Sequence, residues 1–377
     1  MSTSLDEELR GLPADVVARL QHAHFDAERF KRLAERLRGS AQQDNHVRDS
    51  LSLPQPNDVE ELPPPGTPEH DRLVEIGHEA LANGHVALAV LAGGMATRMG
   101  GVVKALVEAV PGRTFLDLRL AEVKAIENAY GKRPPLWLMA SSATEQPLRE
   151  ALGPELDADR VAVFPQSVSL RLTPQGELFR DGGGAASEHA PGHGDFPEAL
   201  QKSGLIQRFV AHGGRVVMLT NLDNLGGTLD AAIIGWHLSH GQPVTCELVD
   251  KLPTDRGGIP VRVGERLAVL EEFRIPPSFD PAQVRVFATN VFHFDAETLN
   301  TLDIPWSFFV VNKKVDGQNV VQFERLVNEV TGHLPTRYLR MPRTGAESRF
   351  LPVKDHDELE LRRAEIILVA RSRGMLQ

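Results

Sequence analysis

Six apolar residues, Val86 to Leu91, run straight into Ala92-Gly93-Gly94 and a loop that carries Arg98 and ends at Lys104. A continuous apolar run suits a strand buried on both faces of a parallel sheet. A glycine loop leaving such a strand aims backbone N–H groups one way and makes a cradle for an anion. Arg98 and Lys104 add fixed positive charge beside it. The chemistry implied is the handling of phosphate. The same residues also compose a tight strand-to-helix turn with two ordinary surface cations. Two common nucleotide loops are excluded by spacing. Gly100-Gly101 is followed by Val-Val-Lys-Ala, without the hydroxyl of a Walker A loop, and the stretch from Gly93 to Gly100 lacks the Gly-x-Gly-x-x-Gly step.

Three further constellations carry chemistry. Phe164-Pro165-Gln166-Ser167 ends an apolar run, and a glutamine there can give one planar base both a donor and an acceptor, or stay a surface amide. Pro191-Gly192-His193-Gly194-Asp195 precedes a helical pattern. Its glycines permit close approach of backbone to a ligand, and Asp195 reads equally as a helix N-cap. Thr220-Asn221-Leu222-Asp223-Asn224-Leu225-Gly226 follows another apolar run. A carboxylate at such a strand end is placed to hold Mg²⁺ against phosphates, or else to close an Asx turn.

These residues need a frame. Strands are expected at 86–91, 136–140, 161–164 and 216–219, with helices at 115–130, 144–152, 196–212 and 229–240. The alternation predicts an α/β fold, a doubly wound, mainly parallel sheet covered on both faces. Ligands of such sheets bind beyond the carboxyl ends of the strands. Past Pro243 the pattern changes. Antiparallel strands are expected at 244–248, 259–263, 267–272, 284–294 and 308–312, forming a sheet insertion over about 244–312 that walls a cleft. Residues 1–50 read as a helical arm, with Val16, Leu20, Ala23, Ala27, Phe30, Ala34 and Leu37 on one stripe packed on the main domain or a second subunit. Residues 51–71, with six prolines, read as an extended connector, 72–354 as the catalytic domain, and 355–377 as a closing helix.

The motifs, taken in order, resemble the UDP-glucose pyrophosphorylase (UTP–glucose-1-phosphate uridylyltransferase) family. The glycine loop is similar to its signature, with Ala96 where a third glycine is usual and Val103 where a proline is usual. Phe164–Ser167, Pro191–Asp195 and Asn221–Gly226 match as quoted. Asp255-Arg-Gly-Gly258 with Val269-Leu-Glu271, Phe287-Ala-Thr-Asn290, Val311-Asn-Lys-Lys314 with Val320 to Glu324, and Ser348-Arg-Phe-Leu-Pro-Val-Lys354 follow. Lys313 stands where that family has a proline. The resemblance implies a nucleotidyltransferase, Rossmann-like fold and conversion of UTP and glucose 1-phosphate to UDP-glucose and pyrophosphate with Mg²⁺. It implies Arg98, Lys104, Asp223 and Lys314 as catalytic residues, Asp223 as the metal ligand, and Leu91, Ala92, Gly93, Gly94, Gln166, Gly192 and His193 as nucleotide contacts. Asn221, Gly258, Glu271, Asn290 and Lys354 fall on the sugar side. Lys354 reaches the phosphates or pairs with a nearby carboxylate. The short distance from Lys354 to the last residue leaves no room for the C-terminal β-helix of eukaryotic relatives, so a short form is expected.

Composition agrees. The chain has 377 residues, 41% hydrophobic and 24% charged, and a net charge of −10, which argues against a nonspecific nucleic-acid or anionic-membrane binder. The single cysteine, Cys246, excludes an intrachain disulfide and a thiolate zinc cluster. Neither a signal-type start nor a membrane-length apolar run is present, and the cytoplasm is the expected compartment. Two rivals stay open. One is a uridylyltransferase of other or broad sugar range, taking N-acetylglucosamine 1-phosphate or galactose 1-phosphate. The other is a non-catalytic sensor of UDP-sugars.

Overall fold

The computed structural model describes residues 5–39, 45–96 and 99–376. It opens with helices α1 (Leu5–Arg10), α2 (Ala14–His22) and α3 (Ala27–Gly39). The single stripe expected from Val16 to Leu37 is thus split, because the chain turns at His24 with φ +53°. Val16, Leu20, Phe30 and Ala34 still bury together, against Leu170, Leu172, Val321 and Phe323 of the same chain. The stretch expected as a plain connector is a strap. Leu51 and Ser52 pair with Val263 and Arg262, and Glu60 exchanges backbone hydrogen bonds with Tyr338 and Arg340. Its last residues belong to a helix the sequence reading missed, α4 (Pro68–Ala82), capped by Thr67 and opened by Pro68.

The main body then alternates. β1 (Val86–Leu91), α5 (Phe115–Tyr130), β2 (Leu136–Ala140), α6 (Glu145–Leu152) and β3 (Val161–Pro165) come first. The helix expected over 196–212 breaks at Gly204, φ +74°, into α7 (Phe196–Ser203) and α8 (Leu205–Ala211). β4 (Val216–Asn221), α9 (Ala231–His240) and β5 (Val244–Asp250) follow. Next are β6 (Gly258–Val263), β7 (Arg266–Glu271), β8 (Val286–Asp295), β9 (Phe309–Val315), β10 (Gln318–Glu324), β11 (Thr336–Arg340) and α10 (His356–Ser372).

One seven-stranded sheet runs β11-β5-β8-β4-β1-β2-β3. All neighbours are parallel except β8, which runs antiparallel to both β4 and β5. The apolar run of β1 is explained by its two covered faces. Val86, Leu88 and Val90 pack with Leu118, Val123 and Ile366, while Ala87 and Ala89 pack with Phe196, Ile206 and Phe209. The chain leaves β1 outward to β2 and β3, then returns to β4 on its other side. The crevice between β1 and β4 is therefore the switch point of the sheet.

The expected insertion needs correction. The strands near 244–248 and 284–294 are not insertion strands. They are β5 and β8, inside the main sheet and covered on both faces. β5 nonetheless carries the polar Thr245 and Glu247. Both are buried, satisfied by His237 Nδ1 at 2.8 Å and by Arg349. What stands apart is the β6–β7 hairpin, turned at Gly264-Glu265, and the β9–β10 hairpin. Among the described residues no helix is long and apolar enough to cross a membrane.

Candidate active site

The glycine loop leaves β1 beside the ends of β2 and β3. Ala92 N–H donates to Met139 O at 2.9 Å, and the loop returns so that Lys104 N–H donates to Gly94 O at 3.2 Å. A Cβ on Gly93 would lie 3.2 Å from Ser141 N and 3.3 Å from Gln166 Oε1, whereas one on Gly94 would meet nothing. Gly93 is thus needed for close packing, and Gly94 leaves its backbone open. Ala96 is buried and paired with Val102 in a two-residue ladder, an arrangement that requires no glycine. Arg98 lies outside the described residues.

Gln166 follows β3 and is buried. Its Nε2 donates to Gly192 O at 2.7 Å. Gly192 has φ +84°, and a Cβ there would lie 2.5 Å from Arg325 O. His193 is held neutral, because burial pulls its pKa down to about 4. Val327 N–H donates to its Nδ1 at 3.1 Å. The proton of the neutral ring is then on Nε2, which makes Nε2–H a donor to any ligand in front of it. Asp195 is not the side-chain cap expected of it. It is fully buried, ion-paired to buried Arg325, and accepts Ser167 N–H at 2.6 Å. Glu198 joins the same arginine at 2.7 Å. Burial would raise the Glu198 carboxyl, but Arg325, Lys202 and Arg29 outweigh it and hold it at about 2.

Asp223 sits on the turn after β4 and is ion-paired with Lys104, both mostly buried. Two buried arginines that the sequence reading missed fix this turn. Arg119 donates to Asn221 O at 2.9 Å, Asn224 O at 2.7 Å and Gly227 O at 2.8 Å, and is balanced by Glu122, which accepts Leu229 N–H at 2.9 Å. Arg349 donates to Thr228 O at 2.7 Å and pairs with buried Glu247. Asn224 bonds back to Arg349 O and Leu351 N. The only signal for Arg119 was a charged pair at i, i+3 on an otherwise apolar helix face. Arg349 lay inside a quoted motif. Among the described residues no three His, Cys, Asp or Glu side chains cluster as a metal cage. A single carboxylate beside the open backbone of the glycine loop fits a hard cation that takes its other oxygens from a ligand.

The sugar-side residues divide. Asn290, at φ +61° in a bulge of β8, donates from Nδ2 to Asn221 Oδ1 at 2.9 Å, and its own Oδ1 is buried without a partner. Gly258 on β6 pairs with Glu271 on β7, whose carboxyl accepts Asn328 Nδ2 at 2.7 Å. Burial, with Glu272 adding to it, pushes the Glu271 pKa up to about 7 against the pull of Asn328. Lys314 is exposed on β9, paired with Asn319 in the β9–β10 ladder, and its side chain makes no hydrogen bond or ion pair with a described residue. Lys354 is exposed as well. Its backbone N–H, not its ammonium, is what meets a carboxylate, Glu358 at 2.7 Å. The fold therefore ties together Gly93, Gln166, Gly192 and His193, and Lys104 with Asp223. It ties Asn221 with Asn290, and Gly258 with Glu271. It links neither Lys314 nor Lys354 to these groups by a bond.

A family model described as UTP–glucose-1-phosphate uridylyltransferase matches residues 27–375. The chain is 28% identical to the UTP–glucose-1-phosphate uridylyltransferase of Saccharomyces cerevisiae, over 74% of this chain and 60% of that protein. It spans about 60% of the length of the curated relatives it matches. Its fold is similar to a UDP-glucose phosphorylase from Trypanosoma brucei, with a TM-score of 0.74, 20% identity, and coverage of 92% of this chain and 77% of that one. It is also similar to the UDP-N-acetylglucosamine pyrophosphorylase of the same organism, with a TM-score of 0.70, 18% identity, and coverage of 90% and 75%. The architecture is thus common to proteins named for different sugars.

Proposed function

The chain belongs to the UTP–glucose-1-phosphate uridylyltransferase family, and from that premise we propose that it joins UTP and glucose 1-phosphate to give UDP-glucose and pyrophosphate. The observation that carries this reading is the meeting of two groups at the sheet's switch point. One is the slot formed by Gly93, Gln166 and Gly192; the other is the Lys104–Asp223 charge pair. A sugar phosphate oxygen attacks the α-phosphorus of UTP. The new P–O bond forms as the bond to the pyrophosphate oxygen breaks, and pyrophosphate leaves opposite the attacking oxygen. The nucleophile is already an anion at neutral pH and requires no general base. The protein has to align two anions and neutralise their charge.

In this proposal the backbone of Gly93 and Gly94 and the Arg98 side chain hold the UTP phosphates, with Lys104 near the α- and β-phosphates. Gln166 and Gly192 read uracil over Leu91 and Ala92. His193 donates from Nε2 toward the ribose or the α-phosphate. Asn221, Gly258, Glu271 and Asn290 take glucose hydroxyls, which makes the β6–β7 hairpin the sugar-facing part of a catalytic unit over 72–354. Lys314 binds the phosphate of glucose 1-phosphate, and Lys354 stands near the phosphates. Asp223 is the proposed ligand of Mg²⁺, which when bound supplies neutralisation of the phosphate charge. The cytoplasm is the proposed compartment, in keeping with a single, buried, unpaired cysteine.

The test is pyrophosphate release from UTP, Mg²⁺ and glucose 1-phosphate, with N-acetylglucosamine 1-phosphate in parallel. Rapid release with glucose 1-phosphate is the expected result. Absence of release with either sugar, while UDP-glucose still binds, would replace the enzyme by a UDP-sugar-binding protein.

A further inference from the structure

The sugar side contains one residue that no motif assigned. Asn328 lies on the short turn Val327–Glu329 and is only 4% exposed. Its turn is pinned to β7. Thr331 Oγ1 donates to Asn328 O at 2.7 Å and accepts Val269 N–H at 2.8 Å. The position of the side chain is therefore set by backbone, not by chance packing.

The amide of Asn328 is half satisfied. Nδ2 donates to Glu271 Oε1 at 2.7 Å, while Oδ1 is buried and has no partner. A buried acceptor without a donor costs free energy, so its persistence marks a place where a donor is due to arrive. The same holds for Asn290 Oδ1 on β8. The unanswered atoms here are oxygens, the amide carbonyls of Asn290 and Asn328. Such a set calls for O–H donors and repels an anion, which is the character of a neutral sugar ring rather than of a phosphate.

Asn328 also fills space. A Cβ on Gly258 would lie 2.8 Å from Asn328 Nδ2 and 2.7 Å from Val269 Cγ1. No side chain fits at Gly258 because the asparagine amide is already there. A substituent larger than a hydroxyl, presented to this corner, would meet the same amide.

We propose that Asn328 is a specificity-determining residue: it orients Glu271, offers Oδ1 to a hydroxyl of the hexose, and excludes hexoses whose hydroxyl there is replaced by a bulkier group. The inference rests on the uridylyltransferase reading of the same site. Asn328 touches the sugar and not the nucleotide, so its effects separate the two substrates.

The experiment compares wild type with Asn328→Leu and Asn328→Ala, the smaller variant serving if the leucine does not fold. Pyrophosphate release is measured with glucose 1-phosphate and N-acetylglucosamine 1-phosphate, with KM for UTP taken alongside. Binding of UDP-glucose and of UDP is measured by calorimetry. In both variants KM for glucose 1-phosphate should rise about tenfold or more, while KM for UTP stays within about twofold. Asn328→Ala should also lower the preference for the unsubstituted hexose by about tenfold. Equal losses for both sugars and for UTP would reduce Asn328 to a structural role and overturn the proposal. If wild type turns over neither sugar but binds UDP-glucose more tightly than UDP, and the variants lose that difference, the reaction is refuted and Asn328 keeps its role. If wild type binds both equally, there is no sugar selection for Asn328 to make and the proposal falls.

Discussion

The two sides of the cleft are built on opposite plans. On the side expected to take the nucleotide, the buried groups left unanswered, Ser167 Oγ and the Nε and Nη1 of Arg325, can donate. Gln166 bonds Gly192, His193 takes a backbone N–H, and Asp195 is locked to Arg325 and Ser167. On the sugar side Asn290 and Asn328 keep unanswered oxygens, and Glu271 is buried with one amide donor and a pKa near neutrality, about 7. The first side keeps spare donors. The second carries a deficit that a polyhydroxylated ligand would repair.

The largest expected effect lies between the two sides. Lys104→Met should lower turnover by roughly a thousandfold, with the circular dichroism spectrum unchanged, because it removes the fixed charge at the phosphates. A variant within tenfold of wild type would move the chemistry away from the β1–β4 crevice. Asp223→Asn should act through metal instead, with a Mg²⁺ titration displaced to higher concentration; an unchanged titration would return Asp223 to a turn.

Next comes the structural contrast. Arg325→Met strands Asp195 as a buried charge and should cost about 3–5 kcal/mol of folding stability, read from denaturant midpoints. Glu271→Gln should cost nothing comparable at pH 7. Equal losses would erase the distinction between a paired buried charge and a half-satisfied buried carboxyl. Gln166→Leu should narrow the preference for UTP over other nucleoside triphosphates by about a hundredfold in kcat/KM while leaving the hexose preference alone.

The smallest effect is a difference in pH slope. Glu271 binds its proton more tightly folded than unfolded. Its contribution is therefore full below the ordinary carboxylate range and declines as pH rises toward about 7. Burial depresses His193 and His189 to about 4, and the folded chain then binds fewer protons there than the unfolded one. Their effect is the reverse: stability falls as pH drops from the ordinary histidine range through about 4. Between these limits the two sides oppose one another. Glu271→Gln should steepen the rise of melting temperature with pH, and His193→Gln should flatten it. Parallel curves for all three proteins would contradict both assignments.

Much of this was legible in the chain. The β1 run and its glycine loop and the strand ends carrying Gln166 and Asp223 could be read because each depends on neighbours a few residues away. Residue type, spacing and backbone freedom are local properties, and phosphate chemistry needs little more than backbone N–H groups at a strand end. The misreadings share one cause. β5, with its polar Thr245 and Glu247, was expected in an insertion rather than inside the main sheet, and Asp195 could be read as a side-chain cap because it precedes a helix. Their partners are His237, Arg349 and Arg325, the last 130 residues away from Asp195 in sequence. Arg119 reaches across 102 residues to hold Asn221, and Asn328 across 57 to reach Glu271. The sequence by itself determined the order of motifs, the α/β sheet and which residues stand at its strand ends. Only the tertiary structure decided which buried charges are paired, which amides are left half satisfied, and hence which wall of the cleft keeps donors and which keeps acceptors, because a buried polar group takes its meaning from a partner that folding alone brings within reach.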